Sequence, residues 1–324
     1  MQHSRWARLV AVAVLSLSSA AVSAQAWPAK PIRWIVPYPP GGITDGATRM
    51  VVQKVSEQTG WNIVIENKPG ANSLLGADLA AKAAPDGYTF LTVIAGHAAN
   101  ATLYQGRMPF DPVKSFAPVS LVGIAPLIMT ANNSFPVKDV GELIAYAKRN
   151  PGKVSFGSSG IGAAAHLTTE LFKQTTGTYM VHIPYRGTAP ATQDLIGGAI
   201  QILVDTPSSM MPQVRGGKAK ALGIFSAKRL PAFPDVPTVA EAGGPKLESS
   251  TWVMFLAPTG TPREIVTRMS SEVAKAVSSP DIKARFEALA IEPGGGTPEQ
   301  AAKFLDDEIA KWKKVINEAG VKGE

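Results

Sequence analysis

The chain contains no cysteine. Disulfides, thiolate nucleophiles, cysteine-based metal sites and a lipid-modified N-terminal cysteine are therefore excluded. Histidine is nearly as scarce, with four in 324 residues. His97, His166 and His182 are too widely spaced for a metal motif, and His3 stands apart at the start. Dense basic runs are missing too. The formal charge is +7, but Lys and Arg are scattered, and the cluster Lys311, Lys313, Lys314 follows Asp306, Asp307 and Glu308 by one helix turn. That pattern is a solvated helix face and not a nucleic-acid surface. No apolar run reaches the ~20 residues that span a bilayer.

The apolar run that is present lies between Leu9 and Val22, behind Arg5 and Arg8 and with no acid before it. Val22-Ser23-Ala24 and Ala24-Gln25-Ala26 then give the small–x–small spacing read by signal peptidase. Residues 1–26 are thus expected to be an export signal, leaving a freely diffusing, unanchored protein in a bacterial periplasm. Loss of Arg5 and Arg8 lowers the formal charge from +7 to +5, a modest field that draws anionic solutes. The remaining ~300 residues exceed what one hydrophobic core usually supports, so two lobes are expected.

Short β-rich runs alternate with helical stretches, the pattern of an α/β protein with largely parallel sheets. Strands are expected at 32–36, 62–66, 89–94, 154–156, 180–183, 200–205 and 219–225, with helices over 44–59, 75–83, 139–149, 163–175 and a short one ending at Gly197-Gly198. Ala47, Val51 and Val55 recur at i, i+4, i+8 on one helix face. Thr261-Pro262-Arg263-Glu264 and Thr297-Pro298-Glu299-Gln300 both read as capping boxes with Pro at the first helical position. Behind them run the core stripes Ile265, Met269, Val273, Val277 and Phe304, Leu305, Ile309, Trp312, Ile316. The chain is expected to cross between lobes twice, at 125–130 and at 251–257. The first lobe then holds 27–126 and 253–324, the second 127–252, joined by a two-segment hinge that can close on a ligand.

Three segments share one design of strand, Gly-rich turn and helix start: Pro39 to Asp45, Gly157 to Gly162, and Tyr185 to Pro190. In parallel α/β sheets such turns collect at the carboxyl ends of the strands, where ligands bind. A helix start offers unpaired N–H groups and about half a positive charge, which suits an anion. The backbone of Pro40, Gly41, Gly42, Gly160, Gly162, Gly187 and Ala189 is expected to line the site, with Thr44, Ser158, Ser159 and Thr188 as polar side chains. Asp45 is expected to cap its helix and border the site. Asp205 ends a strand and either accepts from a ligand hydroxyl or amine or caps the next helix. Arg186 is either a surface residue or a ligand contact. His97 and Asn100 follow the third strand and are expected to face the cleft, whereas His166, one turn into a helix, is expected to be packed.

Enzyme readings fail on detail. Gly157-Ser158-Ser159-Gly160-Ile161 lacks the last Gly of a nucleophile elbow. Gly160 to Ala165 fits G-x-G-x-x-A, but the next strand ends in His182-Ile183-Pro184-Tyr185 without the acid that holds a ribose. No phosphate-loop motif, cofactor site or metal motif is legible.

Pro31-Ile32-Arg33, Val36-Pro37 and Pro39-Pro40-Gly41-Gly42-x-Thr44-Asp45 together resemble the opening of the Bug family of extracytoplasmic solute receptors, the binding components of tripartite tricarboxylate transporters. The resemblance continues through Glu66 to Ala71, Ala83 to Thr89, Phe110-Asp111-Pro112, Ser158-Ser159-Gly160-x-Gly162 with His166-Leu167, Pro184 to Pro190, and Pro234 to Gly243. It implies a type II periplasmic-binding-protein fold whose ligand carboxylate is held by main-chain groups of opposing loops with bridging water. By position those loops are Pro40 to Asp45, Ser158 to Gly162 and Gly187 to Pro190. The implied ligands are di- or tricarboxylates, aromatic acids or acidic amino acids, and the implied partners are membrane permease subunits, the receptor itself being a monomer. Ile43 replaces a Gly or other small residue of many relatives, and Asp205-Thr206 replaces Asp-Asn. A sensory receptor feeding a signalling partner is the alternative reading.

Overall fold

Strand β1 (Ile32–Val36) opens the described part of the chain, and every residue in it except Arg33 is buried. The computed structural model describes residues 27–323, so the expected export signal at 1–26 lies outside the described residues. Helix α1 (Ile43–Thr59) follows, burying Ala47, Val51 and Val55 and ending at Gly60 in the left-handed region. Next come β2 (Ile63–Asn67), α2 (Leu74–Ala81), β3 (Thr89–Ile94), α3 (Ala95–Leu103) and β4 (Phe116–Pro126). A second series holds β5 (Ile128–Asn132), α4 (Val140–Arg149), β6 (Ser155–Ser158), α5 (Ala164–Thr176), β7 (Val181–Pro184), α6 (Thr188–Gly197), β8 (Ile202–Asp205), α7 (Pro207–Arg215) and β9 (Ala219–Ile224). The chain returns through β10 (Ser250–Pro258) and ends with α8 (Arg263–Ser278), α9 (Pro280–Ala288), β11 (Glu292–Gly295) and α10 (Pro298–Ala319).

These strands build two sheets, one per lobe. The first has the order β11-β4-β10-β3-β1-β2 and the second β7-β6-β8-β5-β9. The sheets are mixed, which corrects the expectation of largely parallel ones. β1 pairs parallel with β2 and β3, and β6 with β7 and β8. β10 instead runs antiparallel to β3 and β4, and β5 antiparallel to β8 and β9. The reversal has a simple cause: β5 and β10, by which the chain enters each lobe, run away from the hinge and so against the strands that point into the cleft, whereas β4 and β9, by which it leaves, run with them.

The first crossing, expected as one strand over 125–130, is broken at Leu127. Leu127 N–H donates to Ser249 C=O, Phe225 N–H to Leu127 C=O and Ser249 N–H to Phe225 C=O, at 3.1, 2.8 and 3.0 Å. Both crossings are stitched together there, and β10 begins its pairing in the first sheet at Ser250 opposite Pro126. Across the hinge α10 packs on α5, and Thr168 Oγ1 lies 2.6 Å from Ser249 Oγ.

The core follows the apolar stripes. Trp34 stacks on Phe90 at 5.0 Å and meets Phe255 edge-on at 4.5 Å, while its Nε1–H donates to Thr92 Oγ1. Each such ring, fully buried, contributes about 1.5–3 kcal/mol. Trp252 on β10 and Trp312 on α10 both donate to the buried Glu308 carboxylate, at 2.7 and 2.9 Å. Of the two expected capping boxes only that of α10 forms, with Thr297 and Gln300 bonded reciprocally. At α8 the N-cap is Pro262, which makes Glu264 the second helical residue and not the third, and Thr261 turns both its N–H and its Oγ1 back to Pro258 C=O, at 3.2 and 2.8 Å.

Candidate functional site

All parallel strands of both sheets run into helix starts on the side of the molecule where the lobes face each other. β1, β2 and β3 feed α1, α2 and α3 in the first lobe; β6, β7 and β8 feed α5, α6 and α7 in the second. None of these helices has a side-chain bond to its N-cap position. By contrast α4, which starts elsewhere, is capped by Asp139 accepting from Glu142 N–H. Uncapped starts leave N–H groups for an anionic ligand or water.

The first-lobe turn places Pro40 and Gly41 in the open and half-buries Gly42. Gly41 has φ +92°, and a Cβ there would strain the backbone although it would touch nothing. Thr44 is buried, and its C=O accepts from Thr48 Oγ1 at 2.6 Å. Asp45 is turned inward. It accepts from Gly41 N–H at 3.2 Å, Arg49 Nε at 2.9 Å and Asn67 Nδ2 at 2.9 Å. Burial alone would raise its pKa, but the bonds from Arg49, Asn67 and Gly41 outweigh that and hold the carboxyl below its ordinary value. Asp45 is therefore a brace for the turn, its charge neutralised by Arg49.

The second-lobe turns are laced together. Tyr185 N–H donates to Ser158 C=O and Gly187 N–H to Ser159 C=O, both at 3.1 Å. Ser158, expected as a ligand hydroxyl, is fully buried and already used: its Oγ donates to Gly160 C=O and lies 2.7 Å from His182 Nε2. Ser159 is half-buried, as is Gly160, while Ala189 and Arg186 are exposed. Thr188 Oγ1 donates to Asp205 Oδ2 at 2.8 Å, and Asp205 Oδ1 accepts from Thr206 N–H at 2.7 Å. Burial raises the Asp205 pKa, and the bonds from Thr206 and Thr188 partly oppose this. Thr206 Oγ1 continues the cluster to Ser208 and Ser209 at 3.0 and 3.1 Å.

His97 does not face the cleft. It is 2% exposed on α3, packs against Phe110 and Phe116, and bonds Pro112 C=O through Nε2 at 2.8 Å. Desolvation lowers its pKa to about 4 despite that carbonyl. The expectation fails because α3 begins directly after β3, so the third helical residue is carried round onto the core face. Asn100, one turn later, is buried too and bonds Asn72 of its own lobe.

What the residue pattern missed is the partner of the Gly160–Gly162 turn. Ala71, Asn72 and Ser73 all have positive φ, at +46°, +49° and +72°, a conformation that costs non-glycine residues about 1–2 kcal/mol each. The strained turn is held by Asn100: Asn72 Nδ2 donates to Asn100 Oδ1 at 2.7 Å, and Asn100 Nδ2 to Asn72 C=O at 3.0 Å. A Cβ placed on Gly160 would stand 3.8 Å from Asn72 Oδ1. One on Gly162 would stand 3.6 Å from Asn72 Nδ2 and 3.8 Å from Ala99 Cβ, and would run into Leu103 Cδ1. The lobes thus touch at this point. Tyr38 lies nearby in the first lobe, its hydroxyl 3.3 Å from where a Gly96 Cβ would be, a point 4.0 Å from Gly162 C=O, and burial, opposed by a bond to Ser73, pushes its pKa up to about 12. The signal for Asn72 was present, since Pro69-Gly70-Ala71-Asn72 follows a strand and Asn tolerates the left-handed region.

A separate cavity of about 760 Å³ lies at the hinge, lined by Ile124, Phe225, Leu230, Ala290 and Ile291 among others. It shares no residue with the three turns.

A family model described as the tripartite tricarboxylate transporter family receptor matches residues 47–321. BugT of Bordetella pertussis is 37% identical over 322 residues, spanning 97% of this chain and 98% of BugT. Among solved structures, R. palustris Rpa4515 with adipate has a TM-score of 0.87 at 36% identity, over 91% of this chain and 99% of that one. MatC from Rhodopseudomonas palustris with bound malate has a TM-score of 0.82 at 31% identity, over 90% of this chain and 100% of MatC.

Proposed function

The chain belongs to the tripartite tricarboxylate transporter receptor family, and from that premise we propose that it captures a small organic carboxylate between its lobes in the periplasm and delivers it to membrane permease subunits. It is a receptor and not an enzyme, with the two-lobed α/β fold of periplasmic binding proteins. Related receptors solved with adipate and with malate point to a dicarboxylate or a close analogue. Among the described residues no helix is long and apolar enough to cross a membrane. Residues 1–26 are read as a cleaved signal, 27–126 and 253–324 as the first lobe, 127–252 as the second, and the working form as a monomer.

The ligand carboxylate is placed against the backbone of Pro40, Gly41 and Gly42 with Thr44 on one side. On the other stand Ser159, Gly160, Gly162, Gly187, Thr188 and Ala189, with Asp205 behind Thr188. One observation carries this reading. Uncapped helix starts converge from both sheets, and the lobes meet where Gly160 and Gly162 rest on Asn72. Closing such a cleft selects the state that binds the anion from both sides, and the ligand shifts the population toward it.

The test is a thermal-shift panel on protein unfolded and refolded to strip bound solute, with mono-, di- and tricarboxylates, aromatic acids and acidic amino acids. At a hundred times its dissociation constant a true ligand adds about 2.7 kcal/mol to stability, a rise of several degrees. A shift with neutral sugars or nucleotides and with no acid refutes the proposal.

A further inference from the structure

The two lobes solve one electrostatic problem in two ways. In α1 the third helical residue is Asp45, and it reaches back to accept from the N–H of Gly41, just before the N-cap Gly42. In α5 the third helical residue is His166, and its Nδ1 accepts at 3.1 Å from the N–H of Gly162, just before the N-cap Ala163. The position is that of the Glu or Gln of a capping box. A carboxylate there would set a negative charge beside an incoming anion. The first lobe cancels that charge with Arg49, bonded to Asp45 at 2.9 Å. In the second lobe the acceptor carries no charge at all.

The neutral imidazole is well supported. His166 stacks on His182 with centroids 3.7 Å apart and planes 11° apart, and Phe156 stacks on His182 at 4.8 Å. His182 Nε2 lies 2.7 Å from Ser158 Oγ, the same hydroxyl that bonds Gly160 C=O and, at 3.3 Å, Gly160 N–H. Lys173 bonds Glu170 at 2.7 Å, and Glu170 Oε1 stands 3.8 Å from His166 Nε2. Desolvation, the neighbouring His182 and Lys173 lower the His166 pKa to about 2, and desolvation with Lys173 lowers that of His182 to about 4. With Nδ1 accepting, the His166 proton resides on Nε2.

We infer that His166 and His182 are positioning residues for the carboxylate: a stacked pair of uncharged imidazoles that fixes the Ser158–Gly162 turn from behind without adding a negative charge to it. The inference rests on the cleft reading above. It explains why a neutral acceptor occupies a position that elsewhere takes Glu.

The test uses the full mature protein and, as probe, whichever of adipate, malate, citrate or glutamate gives the largest thermal shift. His166→Asn keeps a neutral acceptor near the Nδ1 position, and His166→Leu removes it; His182→Gln keeps an N–H donor to Ser158 Oγ near the Nε2 position, and His182→Leu removes it. The Asn and Gln variants are expected to bind within about threefold of wild type, and the Leu variants about tenfold or more weaker, the loss expected from one missing hydrogen bond to the turn. Nitrogen-15 spectra of the unsubstituted protein at pH 7 should show His166 as the neutral Nε2–H tautomer, a readout independent of variant folding. Wild-type affinity in the Leu variants, or a protonated Nδ1 on His166, overturns the inference while leaving the carboxylate cleft standing. If no acid shifts the wild type, the cleft reading falls and takes the inference with it.

Discussion

Gly162→Ala separates the cost of a strained backbone from the cost of a blocked closure. Gly162 has φ +77°, so alanine there costs about 1–2 kcal/mol whether the lobes are apart or together. That cost lowers stability but cancels from ligand affinity. The added methyl meets Leu103, Asn72 and Ala99, all on the opposite lobe, and so clashes only when the lobes are closed. Overpacking of this kind costs about 1–3 kcal/mol, which is about a five- to 150-fold rise in Kd. Calorimetry with the best acid of the panel measures the affinity, and a urea melt without ligand measures the stability. A lowered urea midpoint with an unchanged Kd would refute the assignment of this contact to the closed state.

Two further outcomes follow from buried polar groups. His97 is neutral in the folded protein with a pKa of about 4, whereas in the unfolded chain it titrates near 6.5. As pH falls below ~6.5 the unfolded chain takes the proton first, so about 2 kcal/mol of stability is lost by pH 5. His97→Gln keeps an N–H for Pro112 C=O and removes that titration, so urea midpoints of the two proteins should converge between pH 7 and 5. Parallel midpoints would refute the assignment, since Asp205, whose raised pKa acts in the opposite direction, is common to both proteins. Glu308→Leu leaves the indole N–H groups of Trp252 and Trp312 unpaired, each worth about 1–3 kcal/mol; a melting temperature and tryptophan emission both unchanged would contradict their burial against that carboxylate.

Much of the architecture was legible because periodicity and turn chemistry agree locally. The stripe Ala47, Val51, Val55 and the box at Thr297 appear in place. Elements without such a signature were not seen. α7 contains Pro212, which reads as a breaker, and β11 is the sequence Glu-Pro-Gly-Gly, held as an edge strand only by β4. The candidate site was legible as three turns, because glycine and helix starts are written in the chain. Which side chains those turns consume was not. Ser158 and His97 look like ligand groups in one dimension, and only the fold shows that His182 and Pro112 already hold them. Asn72 was passed over for the opposite reason, since its importance comes from Gly160 and Gly162, nearly ninety residues away in sequence.

The strand order of the first sheet also constrains how the polypeptide can mature. β10 lies between β4 and β3, yet it begins at Ser250, after the whole of the second lobe. A growing chain that stops short of Ser250 has nothing to join β3 to β4, and α8 and α10 are missing as well. The second sheet needs only the contiguous stretch from Ile128 to Ile224. Assembly from the N-terminus therefore cannot proceed lobe by lobe in the order of synthesis. The inserted lobe is the first whose sheet is complete, and the lobe that opens the chain stays unfinished until its tail arrives.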